Sequence, residues 1–385
     1  MDISSAVSIA DLESMARRRL PKVIFDYLYG GAEDEITLSA NLDAFKQWQF
    51  KPRLVTGHVS RNLSVDLFGD RLSLPFLIGP TGLNGLHWKG ADLALAQAAK
   101  QAQTVHTVST ASTNSLEDIA KVSSGPKWFQ LYPWGDRAVV GRLIDRAKAA
   151  GYTVMMVTVD SLVAGKRERD ARNKFSHEVH LTPRVIWDGI THPDWLIKTW
   201  FAGGGMPRIE NVAEFVGPGS NASQLAEFTR SQRNAGLNWD DIAWMKDRWG
   251  GPFLVKGIAC AEDVPLAKKA GADGVVVSNH GGRQLDGAPA TLDVLQEVVQ
   301  ASGDNFPVLI DGGFRRGSDI IKALALGAKA ILLGRATLYG LAAGGEPGVA
   351  KALSILQSEL DRSLALLGCE SVQALNSSWV RRVAK

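Results

Sequence analysis

Residues 275–287 read VVVSNHGGRQLDG. Three valines run directly into a serine, an asparagine, a histidine, two glycines and an arginine. A β-branched apolar run of this kind predicts a buried strand. Taken alone, its polar end is an ordinary surface turn, with His280 and Arg283 incidental to it. The reading changes if the other strands of the chain end the same way.

They do. Besides GVVVSN (274–279) there are FLIGPTG (76–82), TVHTVST (104–110), KWFQLY (127–132), TVMMVTVD (153–160), PFLVKGI (252–258), PVLIDGG (307–313) and AILLGR (330–335). Helical patterns lie between them, such as ADLALAQAAKQA (91–102), DRAVVGRLIDRAKAAG (136–151), AEDVPLAKKAG (261–271) and RGSDIIKALALG (316–327). Alternation of strand and helix predicts a parallel sheet, and eight such units predict a closed (β/α)8 TIM barrel over about residues 76–345. A doubly wound open sheet is the alternative; it is disfavoured because no G-x-G-x-x-G follows the first strand. Residues 1–75 predict an N-terminal helical extension with a short β-rich approach. Residues 161–238 predict a long insertion after strand 4, and a connection of that length is rarely idle. Residues 1–385 read as a single catalytic domain.

Composition excludes several classes. Of the 385 residues, 45% are hydrophobic and 22% charged, and the net charge of +3 is well mixed, so no nucleic-acid face is expected. The two cysteines, Cys260 and Cys369, are far apart, which argues against a disulfide framework or thiolate metal site and suits a reducing compartment. No His/Asp/Glu cluster has metal-ligand spacing, so no metal is expected. The first residues show no positive region followed by an apolar run, so no secretory signal is expected. No stretch is long and apolar enough to span a bilayer as a helix.

Barrel enzymes carry their chemistry at the C-terminal strand ends. Here those ends offer Pro80, Thr81 and Gly82; Ser109; Gln130 with Tyr132; Thr158 with Asp160; Lys256; Ser278 with His280 and Arg283; Asp311 with Gly313 and Arg315; and Gly334 with Arg335. Any one of them is explicable as a strand cap, but all eight ends together point to a site. The last two supply glycine amides and arginines where barrels commonly hold a phosphate, so a phosphorylated organic cofactor is the economical inference. Lys256 either stabilises an anion formed on that cofactor, as when a flavin is reduced, or salt-bridges Asp160 or Asp311. His280 is the candidate base, because a neutral imidazole accepts a proton near neutral pH, and Asp160 is the candidate to orient it. Arg167 and Arg283 suit a carboxylate, and glycines 281 and 282 let the loop turn both His280 and Arg283 towards it.

Together with FDYLYGGAEDE, WFQLY, TVD…GKRERD and DGGFRRGSDIIKALALGA, the opening stretch resembles the FMN-dependent α-hydroxy acid oxidases and dehydrogenases, over about residues 10–370. The resemblance implies oxidation of an (S)-2-hydroxy acid to a 2-oxo acid with bound FMN. It implies that Tyr27, Arg167 and Arg283 hold the substrate carboxylate, that Tyr132 bonds the substrate oxygen, and that His280 is the base paired with Asp160. Pro80, Thr81, Gly82, Ser109, Gln130, Thr158, Lys256 and Ser278 would hold the flavin ring and ribityl chain. Asp311, Gly313, Arg315, Gly334 and Arg335 would hold the ribityl–phosphate end. Within the family GPTGLNG, STAS, RERD and LLGRATLYGLAA look like its mandelate-oxidising members. Gly82 and Ala111 stand where glycolate-oxidising members carry Ala and Trp, which implies room for a ring on the substrate; the alternative is that another side chain fills the gap. An L-lactate dehydrogenase or an oxygen-using 2-hydroxy acid oxidase would share part of the pattern. An FMN-dependent isomerase would share the barrel but needs no arginine pair for a carboxylate.

The insertion holds VIWDGITHPDWLIKTWFAGGGMP, within about residues 177–210. Trp187, Trp195, Trp200 and Phe201, with Ile186, Leu196 and Ile197, either lie in a membrane–water interface or pack on the barrel or between subunits. The resemblance implies the former: a peripheral enzyme on the cytoplasmic face of the inner membrane that passes electrons to a quinone, as a homotetramer with four such segments acting together. A soluble cytoplasmic enzyme is the alternative.

Overall fold

The computed structural model describes residues 2–175, 182–217 and 219–383. Its strands are β1 (Trp48–Phe50), β2 (Val65–Leu67), β3 (Asp70–Leu72), β4 (Phe76–Ile78), β5 (His106–Ser109), β6 (Lys127–Leu131), β7 (Val154–Thr158), β8 (Phe253–Ile258), β9 (Gly274–Val277), β10 (Val308–Ile310), β11 (Ala330–Leu333) and β12 (Val380–Arg382). β4 to β11 pair in parallel in chain order, and β11 closes on β4 with Ile331 opposite Phe76. This is the closed (β/α)8 barrel. β1 pairs with β12 and β2 with β3, both antiparallel, outside it.

Side chains on a strand alternate between faces, so the barrel lining is read with a period of two. Leu77, Val105, Trp128, Met156, Leu254, Val276, Leu309 and Leu332 form a buried cluster separate from the layer between barrel and helices. Val65, Leu67 and Leu72 of the β2–β3 hairpin join it and close the bottom. Two residues beyond Trp128, Met156, Leu254, Val276, Leu309 and Leu332 stand Gln130, Thr158, Lys256, Ser278, Asp311 and Gly334. The alternation that fills the barrel with apolar residues therefore also sets a polar floor at its C-terminal end. The strands are shorter than the apolar runs that announce them. β9 stops at Val277, which leaves Ser278 onward to the loop.

The N-terminal extension is helical, as expected. Helix Ile9–Arg19 starts at a capping box, with Ser8 and Asp11 each satisfying the other's backbone N–H. Its Ile9, Leu12 and Ala16 are buried, and it packs on the last helix, Arg335–Leu367, which breaks at Gly344–Gly345. Helices Lys22–Tyr29 and Ile36–Asp43 follow and reach the top of the barrel.

Among its described residues the insertion is also helical, with segments Glu168–Arg172, Pro183–Ile190, Pro193–Trp195 running on as a π-helix through Phe201, and Ala222–Ser231. It is pinned by Arg19. That buried guanidinium donates to Asp194 Oδ2 (2.5 Å), Thr199 Oγ1 (2.8 Å) and the carbonyls of His87 (3.0 Å) and Ala342 (3.1 Å), and lies 4.4 Å over the Trp88 ring. The aromatic set expected at a membrane surface divides in two. Trp195 is only 4% exposed and donates its indole N–H to Leu86 O at 2.7 Å, and Trp200 is partly buried against it. Trp195 packs on protein because an interior carbonyl takes its indole N–H, and Trp200 packs against the Trp195 ring. Leu196 also packs on the core. Trp187 and Phe201 remain outside at 68% and 67% exposed, with Ile186, Ile190 and Ile197. Trp187 with Ile190, and Ile197 with Phe201, have the three- and four-residue spacings that share a helix face. Residues 177–181 of the expected segment lie outside the described residues. No helix among the described residues is long and apolar enough to cross a membrane.

Candidate active site

A cavity of about 250 Å³ opens at the C-terminal end of the barrel. The loop that opened the sequence analysis forms one wall. His280, Gly281 and Gly282 are all left-handed, with φ of 56°, 66° and 75°. A Cβ on Gly282 would fall 2.6 Å from the Leu38 backbone nitrogen, so only glycine fits there. His280 adopts the same region at a cost of about 1–3 kcal/mol, a strain typical of functional positions. Its backbone N–H donates to Ser278 Oγ (3.1 Å), and its Nδ1 lies 2.8 Å from Asp160 Oδ1. Nε2 has no partner among the described residues. Burial alone would raise the pKa of Asp160; His280 and Lys256 outweigh it and hold the carboxyl below its usual range.

Lys256 makes the salt bridge expected of it, to Asp311, and still faces the cavity. Its Nζ donates to Ser278 Oγ (2.8 Å) and pairs with Asp311 Oδ2 (3.1 Å), and the side chain lines the cavity. Burial would discharge it, but Asp311 and Asp160 keep it protonated. Ser109 Oγ donates to Gln130 Oε1, and Gln130 Nε2 donates to Thr158 Oγ1, both at 2.9 Å. Pro80, Thr81, Gly82, Gln130 and Thr158 line the cavity; Ser109, Ser278 and Asp160 stand one layer behind and orient those that do.

Opposite His280 lies a cationic clamp. The Tyr27 ring is 5.1 Å from Arg283 Cζ and 5.8 Å from Arg167 Cζ. Arg283 spends Nη1 on the carbonyls of Tyr27 and Gly30, both at 2.8 Å, which leaves Nε and Nη2 for a ligand. Arg167 is only loosely held by Asp170, at 3.4 Å. Between them the Tyr132 phenol is pushed up to about 12, first by burial and then by Asp160, so it stays a proton donor.

The far end suits a phosphate. Gly334 caps helix Arg335–Leu367, where the first amides have no helical partner, and a Cβ on Gly334 would meet nothing within 4 Å. Arg315 and Gly313 line the same end. The Arg335 guanidinium lines this end too and donates to the carbonyls of Leu28 (3.2 Å), Gly281 (2.9 Å) and Gly30 (2.8 Å), which braces the catalytic loop. Three of its five N–H groups are taken, so one N–H on each Nη and the backbone N–H remain for a phosphate. Thr81 Oγ1 and Asp311 Oδ1 are buried without a partner among the described residues, so this end of the barrel is short of hydrogen-bonding groups. A flavin ring along Pro80–Gly82 and Lys256, with its phosphate at Gly334, fits these residues.

Sequence reasoning missed His87, Trp134, Ile209, Thr229, Arg233 and Asn234, all of which line the cavity. His87 is fully buried, and both its ring nitrogens lack a partner among the described residues. Burial first, and then Arg283 and Arg19, hold it down to about 3, so it is uncharged. None of the six lies at a strand end. Four lie in the insertion, whose length was the only signal.

A barrel with a polar floor, a phosphate cradle, and an imidazole–carboxylate pair facing two guanidiniums defines a class: barrel oxidoreductases that handle an anionic substrate beside a phosphorylated cofactor. The sequence matches the FMN-dependent dehydrogenase family over residues 16–382. It is 45% identical to (S)-mandelate dehydrogenase of Pseudomonas putida over 97% of this chain and 93% of that protein. It is 41% identical to L-lactate oxidase of Nostoc sp. (strain PCC 7120 / SAG 25.82 / UTEX 2576) over 98% of this chain and 99% of that one. A crystal structure of (S)-mandelate dehydrogenase, described as a monotopic membrane protein, superposes with a TM-score of 0.94 at 44% identity, covering 98% of this chain and 100% of that one. The chain belongs to the FMN-dependent dehydrogenases, and FMN is its cofactor.

Proposed function

We propose that the protein oxidises (S)-mandelate to benzoylformate and passes the electrons to a membrane quinone, the whole chain acting as one catalytic unit. The observation that carries this reading is the 2.8 Å His280–Asp160 contact facing Arg167, Arg283 and Tyr132 across one cavity. Similarity to (S)-mandelate dehydrogenase supports the substrate.

Bound FMN supplies the two-electron acceptor next to the substrate carbon. Arg283 Nε and Nη2, with Arg167, hold the substrate carboxylate through charge-assisted bonds. Tyr132, protonated, donates to the substrate oxygen. His280 Nε2 takes up a proton released as the hydroxy acid becomes an oxo acid, and Asp160 stabilises the imidazolium that forms. Lys256, held charged by Asp311, would help hold the cofactor and would offset negative charge on it. Tyr27 and Leu28 of the N-terminal extension and Ile209 and Thr229 of the insertion complete the cavity wall.

Substrate size is read from Gly82 and Ala111. A Cβ on Gly82 would fall 2.8 Å from Ala111 Cβ, so these two small residues are packed against each other at the cavity wall. Anaerobic mixing with (S)-mandelate should bleach the flavin rapidly. In Ala111→Trp the rate should fall about tenfold or more on mandelate and much less on L-lactate, since an added ring takes the phenyl's space. No bleaching by any 2-hydroxy acid would sink the reading. Equal losses on both substrates would remove Ala111 from the pocket. An L-lactate enzyme is the second reading, supported by the similarity to L-lactate oxidase.

For the electron acceptor we propose docking at the cytoplasmic face of the inner membrane, by a homotetramer, through Trp187, Ile190, Ile197 and Phe201 in each subunit. Their exposure supports this, as does the monotopic character of the structural relative. Replacing all four by Ser should abolish co-sedimentation with phospholipid vesicles and slow reduction of a lipid-soluble quinone, while flavin reduction by substrate stays within about twofold, because surface substitutions cost little stability. Vesicle binding that survives the four changes would overturn the assignment.

A further inference from the structure

Five arginines line the cavity: Arg167, Arg233, Arg283, Arg315 and Arg335. Four have an acceptor. Arg167 has Asp170, Arg283 the carbonyls of Tyr27 and Gly30, Arg315 the Phe314 carbonyl, and Arg335 three carbonyls. The Arg233 guanidinium has none among the described residues. It stands at the cavity's outer lip, exposed as a residue. Partial desolvation first, and then Arg167, weaken its hold on its proton, so the two guanidiniums sense each other across the opening.

Its position is built rather than loose. Arg233 follows helix Ala222–Ser231, and the neighbouring Gln232 carbonyl accepts from Gly135 N–H at 2.9 Å. Gly135 belongs to the loop that carries Tyr132 and Trp134. Trp134 is buried, edge-on to Phe228 of the same helix at 6.2 Å. Asn234 lines the cavity beside Arg233; its Oδ1 accepts from Gly236 N–H (3.1 Å), and its Nδ2 has no partner among the described residues. The cavity wall also carries large apolar side chains, Trp134, Leu162 and Ile209.

A monocarboxylate is satisfied by Arg167 and Arg283. A third guanidinium on the same cavity repels Arg167, and a second anion relieves that repulsion. We infer that Arg233, with Asn234, forms an outer subsite for a second anionic group, so that the enzyme takes 2-hydroxy acids whose side chain ends in a carboxylate across an apolar spacer. The inference rests on the proposed 2-hydroxy acid oxidation and names its substrate class more closely. The plainer account of Arg233 is a cation placed near a helix C-terminus.

Binding of oxo-acid products to the FMN-loaded enzyme separates the two, read by calorimetry and by the shift of the flavin spectrum. The ligands are benzoylformate and its 3- and 4-carboxy derivatives. Wild type should bind the better carboxy derivative at least as tightly as benzoylformate. Arg233→Met should weaken that derivative by about 10–100-fold, the range for a charge-assisted bond, and benzoylformate by less than threefold. Arg233→Lys should recover part of the loss and Arg233→Glu should deepen it; flavin content and melting temperature serve as controls for folding. Equal weakening of both ligands would show that Arg233 serves the common carboxylate and would overturn the inference. So would unchanged binding of both, or tenfold weaker binding of both carboxy derivatives by wild type. If no 2-hydroxy acid bleaches the flavin, the functional reading itself has failed, an outcome visible before any variant is made.

Discussion

Replacing His280 by Gln leaves FMN bound and lowers the rate of flavin reduction by about 10²–10⁴-fold, the usual cost of removing a general base. The variant retains a polar side chain of similar reach, but no group that takes up a proton near neutral pH. Phosphate-end contacts are unaffected, because Gly334, Arg315 and the first amides of helix Arg335–Leu367 lie apart from the imidazole's partner Asp160. Asp160 keeps Lys256 as a counter-charge, so the carboxylate is not stranded. Anaerobic stopped-flow reduction, with flavin content measured in parallel, is the check. A rate within fivefold of wild type would falsify the assignment of His280 as base; loss of flavin would instead mark it as structural.

Arg283→Lys lowers kcat/KM for mandelate by about 100-fold or more, while the neutral amide of mandelate, poor for wild type, changes little. A charge-assisted bond is worth about 1.5–3 kcal/mol, and Arg283 has two donor groups left for the carboxylate. Lysine keeps the charge but loses the fork. It cannot hold the carbonyls of Tyr27 and Gly30 and still reach the ligand, since its three donors leave from one atom. The diagnostic quantity is the ratio of acid to amide. If wild type and variant discriminate equally, Arg283 is a brace for helix Lys22–Tyr29 and not a carboxylate ligand.

How much of this was legible before folding depends on the range of the interaction. The eight strands and the polar groups at their ends were legible because strand alternation is local. A residue two positions past an apolar lining residue faces the same way and sits at the rim. His280 was legible for a related reason: a histidine before two glycines, at the end of a buried strand, marks a backbone turned into an unusual conformation. Lys256 was legible only as two alternatives. The salt bridge depended on whether Asp311, 55 positions away, came within reach, and it did.

Arg335 and Trp195 show the limit. Each has the residue type its expected role requires, a cation at a phosphate end and an aromatic at a membrane surface. Each donates to backbone carbonyls of other elements as well, Gly281 and Gly30 for one and Leu86 for the other, which its expected role did not announce. A donor that is buried must find an acceptor, and which acceptor is nearest is a property of packing.

The amino-acid sequence by itself determined the barrel, its polar rim and the imidazole, carboxylate and guanidiniums available there, because each follows from periodicity and residue chemistry within one strand and its loop; that His280 meets Asp160, 120 positions away, was decided by the closed barrel. Tertiary structure alone decided which insertion residues join the cavity, which aromatics stay exposed, and which arginine is left without an acceptor. Those outcomes turn on contacts such as Arg19 with Asp194 and Thr199, and Gly135 with Gln232. They form only when segments roughly 100 residues or more apart compete for the same few donors and acceptors, and no local pattern records who wins that competition.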